Sequence, residues 1–169
     1  MELIELGAIT ERQRAELEGD EHDPWSAGSS TLRWRPKEWH AAVRDDQGRL
    51  VAAAGVVLVE VETARVRFPA VGLGGVIVNA RHRGGGHARA VVTAAILHAE
   101  QLGPELMFLF CQPDRVGLYR KFGFAEVSSA VTVEQPGGDI EMPMRTMWRA
   151  LRAGATWPDG SVAVRGLPF

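Results

Sequence analysis

One segment of the sequence carries the residue types that could bind an anion. It is the basic, glycine-rich stretch RHRGGGHA from Arg81 to Ala88. Glycines allow a ligand to approach bare backbone closely. If a helix begins here, its first N–H groups lack internal partners and carry the positive end of the helix dipole. Such a turn suits a phosphate group. A flexible surface turn with solvated arginines would have the same composition, and spacing alone does not separate the two.

The flanking segments have the periodicities that would position this turn. Before it, Val76–Val78 has the β-branched composition of a buried strand end. After it, apolar residues recur at helical spacing and form one face, and Gly103-Pro104 then ends the helix. The residues of that face are Ala88, Val91, Val92, Ala95, Ala99 and Leu102. The sequence therefore predicts a strand, an anion-binding turn and a helix in succession.

The spacing of the glycines argues against two common phosphate-binding motifs. A P-loop ends in Gly-Lys followed by Ser or Thr, and no such ending is present. A dinucleotide-binding turn has the pattern G-x-G-x-x-G, but Gly72 and Gly74 are followed by Ile77 where the third glycine should stand.

The spacing Arg81-x-x-Gly84-x-Gly86 instead resembles the R/Q-x-x-G-x-G/A motif of the GCN5-related N-acetyltransferase (GNAT) family, whose loop holds the pyrophosphate of coenzyme A. A second segment, Asp114–Phe124 (DRVGLYRKFGF), is similar to that family's next motif, a short helix that carries a tyrosine. Between them, Glu105–Cys111 has the composition of a strand. Two motifs in the family's order are more specific than either motif alone.

The resemblance implies a fold and a cofactor. The expected fold is a single mixed α/β (α+β) domain over residues 1–169, with a central, mostly antiparallel twisted sheet that is flanked by helices and splayed at the cofactor site. The expected cofactor is acetyl-CoA. Its pantetheine arm and pyrophosphate would be held by Val76, Ile77, Val78, Arg83, Gly84, Gly85, Gly86, His87 and Ala88.

The resemblance also implies an activity, the transfer of an acetyl group to a primary amine. Tyr119 matches the family tyrosine that protonates the departing thiolate, and a phenol with an ordinary pKa of about 10 is protonated at neutral pH. The base stays open between water, Glu60, Glu62, His40 and an acidic residue of the loop at Asp20. The alternative function is a non-catalytic module of the same fold that senses acyl-CoA.

Direct attack of the amine in a ternary complex is the expected route. The single cysteine, Cys111, ends an apolar strand and has no neighbouring base that would favour a covalent intermediate. We expect this cysteine to be a small buried hydrophobic residue.

Within the family, the sequence most resembles the aminoglycoside 2′-N-acetyltransferases. The similarity lies in Gly19-Asp20 after the first helix, in the RHRGGG turn and in the strand that contains Met147-Trp148. In that group, an aspartate of the first loop, an acidic residue on the strand before the turn and the C-terminal carboxylate bind the cationic sugar. Asp20 matches the first and Gly74 replaces the second, whereas the third stays open, because this chain continues past Trp157 to Phe169. The expected acceptor is a small cationic amine, aminoglycoside-like or another amine, with Asp20 at its binding site. The acidic stretch Asp20–Trp25 is either part of a rim that attracts this acceptor or a solvated surface loop.

Composition narrows the class of protein. The chain has 169 residues, of which 46% are hydrophobic and 24% charged, a globular profile. A net charge of −2 argues against nucleic acid as a partner. One cysteine and the spacing of the histidines predict no metal site. No signal peptide or membrane span is evident, so a cytoplasmic protein without a membrane partner is expected. The apolar tail from Gly154 to Phe169 either covers the core of its own chain or bridges two subunits of a homodimer.

Local signals predict the remaining elements. Thr10 and Gln13 have the spacing of a helix capping box. A turn at Asp45–Gly48 predicts a hairpin, whose second strand, Arg49–Glu62, has Gly55 as a candidate bulge. Two further strands are expected at Ala125–Glu134 and Glu141–Trp148, and a short one at Ser161–Arg165.

Overall fold

The computed structural model of the protein describes residues 1–21 and 31–169. Within these residues the chain forms one mixed sheet and three α-helices. The strands are β1 (Glu2–Leu6), β2 (Trp39–Arg44), β3 (Leu50–Glu62), β4 (Arg67–Val78), β5 (Leu106–Cys111), β6 (Ala125–Glu126), β7 (Val131–Val133), β8 (Ile140–Glu141), β9 (Arg145–Ala150) and β10 (Val162–Arg165). The helices are α1 (Glu11–Glu18), α2 (His87–Ala99) and α3 (Val116–Arg120).

The sheet is mostly antiparallel, as the family resemblance implies. Its main path runs β6-β9-β5-β4-β3-β10-β7-β8, and β2 and β1 extend it from the first half of β3. Among the described strands, the parallel pairings are β4 with β5 and β10 with β7. The predicted mixed α/β fold is therefore confirmed.

Strands β4 and β5 lie side by side over a short distance and then separate. Their parallel ladder joins Val71 to Met107 and ends with the pair Leu73–Leu109, although β4 continues to Val78. The second half of β4 therefore presents an edge to which an extended ligand chain could hydrogen-bond, as an added strand does. This separation is the splayed sheet that the resemblance implies.

A bulge bends β4 at the start of this open edge. Ala53 pairs with Ile77 but Gly55 pairs with Gly74, so β4 has one residue more than β3 in this interval. Gly75 has a φ of 60°, a conformation that glycine adopts without strain. The irregularity lies beside Gly55, where the sequence predicts a bulge, but the extra residue is on the partner strand β4.

The two longer helices follow local sequence signals. At the start of α1, the Thr10 hydroxyl accepts a hydrogen bond from Gln13 N at 3.3 Å, and Gln13 Oε1 accepts one from Thr10 N at 2.9 Å. Gly86 caps the start of α2 with a φ of 79°. Four buried residues of α2, Val91, Val92, Ala95 and Ala99, belong to the predicted apolar face, and Ile96 is buried as well. No helix in the described ranges is long and apolar enough to span a membrane.

On the face of the sheet opposite α2, two glycines beside His40 leave room for a side chain from another segment. His40, Gly55 and Gly74 lie directly opposite one another on β2, β3 and β4. Paired residues on neighbouring strands project to the same face, which the two glycines leave bare. The side chain of Lys37 occupies the space: a Cβ added to Gly55 would lie 2.7 Å from Lys37 Cγ, and one added to Gly74 would lie 2.8 Å from Lys37 Cε.

The C-terminal residue packs on the same face. A Cβ added to Gly72 would lie 2.5 Å from the ring of Phe169. That ring is 5.0 Å from the ring of Phe108 and 5.1 Å from that of Phe110, between centroids. Of the two roles predicted for the tail, it therefore covers the core of its own chain, and the homodimer stays a prediction.

Two predicted strands are each divided in two. The segment Ala125–Glu134 contains β6 and β7, which lie near opposite ends of the sheet, because β6 pairs with β9 and β7 with β10. The segment Glu141–Trp148 is interrupted at Pro143, which has no N–H for a ladder. The prediction of two continuous strands is wrong for these reasons.

Replacing Gly72 with alanine should destabilise the fold by about 1–3 kcal/mol, because the new methyl group would overlap the ring of Phe169. Urea unfolding followed by circular dichroism measures the change in the free energy of unfolding. The matched control is Gly137→Ala, since nothing lies within 4 Å of a Cβ built at Gly137. Equal stabilities of the two variants would contradict the packing of Phe169 on β4.

Candidate functional site

A cleft of about 1060 Å³ opens where β4 and β5 separate. Its walls come from the open end of β4, the turn before α2, the end of β5, α3 and the segment before β2. The residues predicted from sequence that line it are Val76, Ile77, Val78, Arg83, Gly84, Gly86, His87, Ala88 and Tyr119. Gly85 and Asp20, also predicted, do not line this cleft.

The turn before α2 makes one end of the cleft electropositive. Gly84 and Gly86 have φ values of 84° and 79°, so both positions favour glycine. No side chain caps the start of α2, and the first N–H groups of the helix are left for water or a ligand. With the positive end of the helix dipole, this geometry suits phosphate oxygens.

Both arginines of the turn have carboxylate partners. Arg83, which lines the cleft, donates a hydrogen bond to Glu21 at 2.6 Å. Arg81 pairs with Asp20 in a separate depression beside α1. The predicted role of Asp20 in acceptor binding therefore stays a prediction that the cleft geometry does not support. The predicted acidic loop continues over residues 22–25, which lie outside the described residues.

Tyr119 lines the cleft from α3. Burial, and then the neighbouring Cys111, raise the pKa of its phenol above the ordinary value, so the hydroxyl group is protonated. No described residue accepts a hydrogen bond from this hydroxyl. It can therefore donate its proton to a ligand in the cleft.

Cys111 lies close by, at the end of β5. Burial, followed by the charges of Glu126 and Asp114, raises the pKa of its thiol to about 11. Since the thiolate is the nucleophilic form, Cys111 is unreactive at neutral pH. The predicted buried cysteine is confirmed, with 4% of its surface exposed.

His40 lines the opposite side of the cleft and is buried. Its Nδ1 lies 2.7 Å from the carbonyl oxygen of Gly7, so Nδ1 carries the proton and Nε2 keeps a lone pair. Burial lowers the pKa of His40 below the ordinary 6.5; the hydrogen bond to Gly7 opposes this in part, and the charge of Lys37 adds to it. The imidazole is therefore a neutral proton acceptor at pH 7.

Two other candidate bases lie elsewhere. Glu60 and Glu62 do not line the cleft, and both form ion pairs with Arg67 near the end of β3. A second arginine, Arg165, lies 2.8 Å from Glu62. Both carboxylates are therefore held in ion pairs with arginines, outside the cleft.

Lys37 was not among the residues that the sequence singles out. It lines the cleft above Gly55 and Gly74 and makes no hydrogen bond or ion pair with any described residue. Burial, and then the charge of Arg14, lower the pKa of its amine to about 8. Lysine is usually solvated, so its residue type gives no sign of burial. The space that holds it comes from glycines on strands that are distant in sequence.

Basic side chains outnumber acidic ones among the described residues that line the cleft. Among the described residues that line it, one carries a side-chain carboxylate, Glu141. The cationic lining residues are Arg14, Arg35, Lys37, Arg83 and Arg115. This balance does not favour the predicted cationic acceptor. No group of three or more His, Cys, Asp or Glu side chains in the described part of the chain is placed to hold a metal ion.

Replacing Lys37 with methionine should stabilise the protein by about 3 kcal/mol at pH 7. The folded protein holds the ammonium group with little solvation, whereas the unfolded chain hydrates it. Because the folded pKa of about 8 is below the unfolded value of 10.5, the unfolded state binds more protons between these values. The stability of the wild type relative to that of the variant should therefore rise with pH across this interval. The raised pKa values of Cys111 and Tyr119 act in the opposite direction, but they do so in both proteins.

Urea unfolding at pH 7 and at about pH 10 measures both effects. Lys121→Met is the matched control, since Lys121 is exposed and its replacement should leave the pH dependence in place. A lower free energy of unfolding for Lys37→Met than for the wild type at pH 7 would show that the amine of Lys37 does not destabilise the fold.

Comparisons with known proteins agree with this geometry. A family model described as an acetyltransferase (GNAT) domain matches residues 22–127. A curated relative, glucosamine 6-phosphate N-acetyltransferase 1 of Oryza sativa subsp. japonica, is 42% identical over 80 residues, which are 47% of each chain. The match thus spans about half the length of that relative.

Solved structures share the fold. An Escherichia coli GNAT family N-acetyltransferase (YhbS), in complex with CoA, has a TM-score of 0.60 and 18% identity, over 95% of this chain and 88% of that chain. A GNAT superfamily phosphinothricin acetyltransferase (Pat) from Sinorhizobium meliloti, in complex with AcCoA, has a TM-score of 0.57 and 14% identity, over 95% of each chain. Since the family model also covers more than half of the sequence, the protein belongs to the GNAT family of acetyltransferases.

Proposed function

We propose that the protein is an acetyl-CoA-dependent N-acetyltransferase that moves the acetyl group to a primary amine by direct attack in a ternary complex. The observation that carries the proposal is one cleft that joins an open strand edge, an electropositive turn and a buried, protonated tyrosine. Both structural neighbours described above were solved with CoA or AcCoA, which supports the choice of cofactor.

The cofactor would lie along the cleft from the turn to Tyr119. Its pyrophosphate would accept hydrogen bonds from the backbone of Arg83–Ala88, where the start of α2 is uncapped. Its pantetheine amides would pair with the open edge of Val76–Val78, which β5 does not reach. This arrangement leads the thioester toward the gap between β4 and β5.

Two proton transfers accompany the reaction. The amine nitrogen forms a bond to the thioester carbonyl carbon, and the carbon–sulfur bond then breaks. Tyr119 would give its proton to the departing thiolate. His40, whose Nε2 has no hydrogen-bond partner among the described residues, would take a proton from the attacking amine, directly or through a water molecule. Cys111 stays protonated and would take no part in a covalent intermediate.

The acceptor is the least constrained part of the proposal. The sequence resemblance points to a small cationic amine of the aminoglycoside type, with Asp20 as a ligand. Against this, Asp20 lies outside the cleft and pairs with Arg81. The curated relative is named for a different acceptor, a phosphorylated amino sugar. The common element is a primary amine on a small polar molecule.

Release of thiol from acetyl-CoA with a panel of primary amines tests the activity, and calorimetry tests CoA binding. Tyr119→Phe should lower turnover about 10²–10⁴-fold, the usual contribution of a positioned general acid, and should leave CoA affinity within about twofold. Loss of CoA binding in this variant would mean that the hydroxyl group holds the cofactor instead. CoA binding by the wild type without turnover on any amine would favour a sensor of acyl-CoA over an enzyme.

His40→Asn should remove the acidic limb of the pH profile of kcat and lower its plateau. In the wild type this limb should lie below pH 6.5, because burial lowers the pKa of His40 and the base is lost only when the ring is protonated. The asparagine amide can still donate to the Gly7 carbonyl. The control is His98→Asn, since His98 stacks on Trp39 and does not line the cleft. An unchanged limb in the His40 variant would exclude His40 as the base.

A further inference from the structure

The side chain of Lys37 crosses the sheet from β3 to β4 and ends at the start of the open edge. Its Cγ lies 2.7 Å from a Cβ built on Gly55 of β3, and its Cε lies 2.8 Å from one built on Gly74 of β4. Its Nζ is 3.9 Å from a Cβ built on Gly75, at the bulge. Gly74 directly follows Leu73, the last residue of β4 that pairs with β5. The amine therefore lies where the two strands separate.

The proposed direction of the cofactor brings its thioester to the same place. The turn that would bind the pyrophosphate follows β4, so the pantetheine arm would run back along this strand from Val78 to Val76. The acetyl end would then lie beside the next residues of the strand, Gly75 and Gly74. The amine of Lys37 and the thioester carbonyl would thus meet in the gap that β5 leaves open.

The groups around Lys37 leave its amine available. The carbonyl end of Phe169 would favour the ammonium form and lies beside the Cε of Lys37, but the amine makes no hydrogen bond with it or with any described group. Burial, and then the charge of Arg14, lower the pKa of the amine to about 8. The ring of His40, beside the stem, is neutral at pH 7. About a tenth of the amine is therefore unprotonated at pH 7, against about one part in three thousand for a solvated lysine.

We propose that Lys37 is a site of self-acetylation, at which the cofactor bound in the cleft transfers its acetyl group to the protein's own amine. The inference rests on the proposed function, because it uses the same cofactor in the same cleft. The Lys37 nitrogen forms a bond to the thioester carbonyl carbon, the carbon–sulfur bond breaks, and CoA leaves as the thiol. The nitrogen loses one proton to His40 or to water, and the sulfur gains one from Tyr119.

Lys37 and Tyr119 reach the gap from opposite faces of the sheet. Tyr119 belongs to the apolar cluster that packs against α2, whereas Lys37 lies over the glycines of the other face. The nucleophile and the acid thus do not compete for one position beside the thioester. The product is a neutral amide, so the modification removes a charge that the fold holds with little solvation. An amide does not pass its acetyl group on to an amine, and Lys37 would therefore be an end point and not an intermediate of the proposed direct attack.

The sequence supplies an internal control, because it contains two lysines, Lys37 and Lys121. Lys121 is exposed and does not line the cleft, so chemical acetylation from solution should modify it first. Acetylation in the cleft should instead modify Lys37 at least about tenfold faster than Lys121, because the amine and the thioester are held together. Incubation with acetyl-CoA at about pH 8, followed by peptide mapping in a mass spectrometer, measures both rates. Equal rates, or faster reaction of Lys121, would overturn the proposal.

Unfolding and variants assign the reaction to the folded cleft. In urea the two lysines should react at similar rates, and an advantage of Lys37 that persists there would contradict the role of the fold. Lys37→Met should lose the fast acetylation, whereas Lys121→Met should keep it. At saturating acetyl-CoA, the modified fraction should grow at a rate that does not depend on protein concentration. A rate proportional to that concentration would place the transfer between molecules and would overturn self-acetylation.

CoA binding and turnover on added amines separate this inference from the proposed function. Calorimetry measures CoA binding, and release of thiol with the panel of amines measures turnover. If CoA binds and the amines are acetylated but Lys37 is not, self-acetylation is wrong and the proposed function stands. If CoA does not bind, the proposed function fails and self-acetylation fails with it. Fast acetylation of Lys37 in a protein that acetylates none of the amines would support this inference and leave the proposed acceptor wrong.

Discussion

The end of the ladder between β4 and β5 is the constraint on which the site depends. Buried main-chain groups need hydrogen-bond partners, and β5 supplies them to β4 only as far as Leu73. Beyond that point the groups on this edge of β4 must bind water or a ligand. The bulge at Gly75 and the turn at Gly84–Gly86 continue the open edge into the start of α2. One interruption of regular pairing thus produces a path with a polar edge and an electropositive end.

Glycines of β3 and β4 shape the side of the cleft that lies on the sheet. Gly55, Gly72 and Gly74 lack side chains where a sheet of this kind would ordinarily bury apolar ones, and Lys37 and Phe169 fill the space. The ring of Phe169 packs against the apolar core at Phe108. Lys37 instead places an amine in a partly desolvated position, where burial lowers its pKa. A functional site commonly retains such an unfavourable group when a ligand completes it. The cleft therefore contains a charged side chain that lowers the stability of the fold.

What could be predicted from sequence was local. The capping box at Thr10, the apolar face of α2 and the glycine turn depend on neighbours in the chain, and the structure contains all three. The side of the bulge, the division of the predicted strand Ala125–Glu134 and the ion pair of Asp20 depend on which distant segments meet, and pattern alone does not specify this. Lys37 is the clearest case, since its burial is set by glycines on two other strands.

The position of β10 in the sheet has a consequence for biosynthesis. This strand follows all the other described strands in sequence, yet it lies between β3 and β7 and is the link through which β7 and β8 join the sheet. While the ribosome is still adding the tail, the hairpin of β7 and β8 has no neighbour with which to pair. Contacts between segments so distant in sequence also slow folding in general. A nascent chain stalled before β10 would therefore expose unpaired strand edges. Such edges pair with other chains during aggregation unless chaperones bind them first.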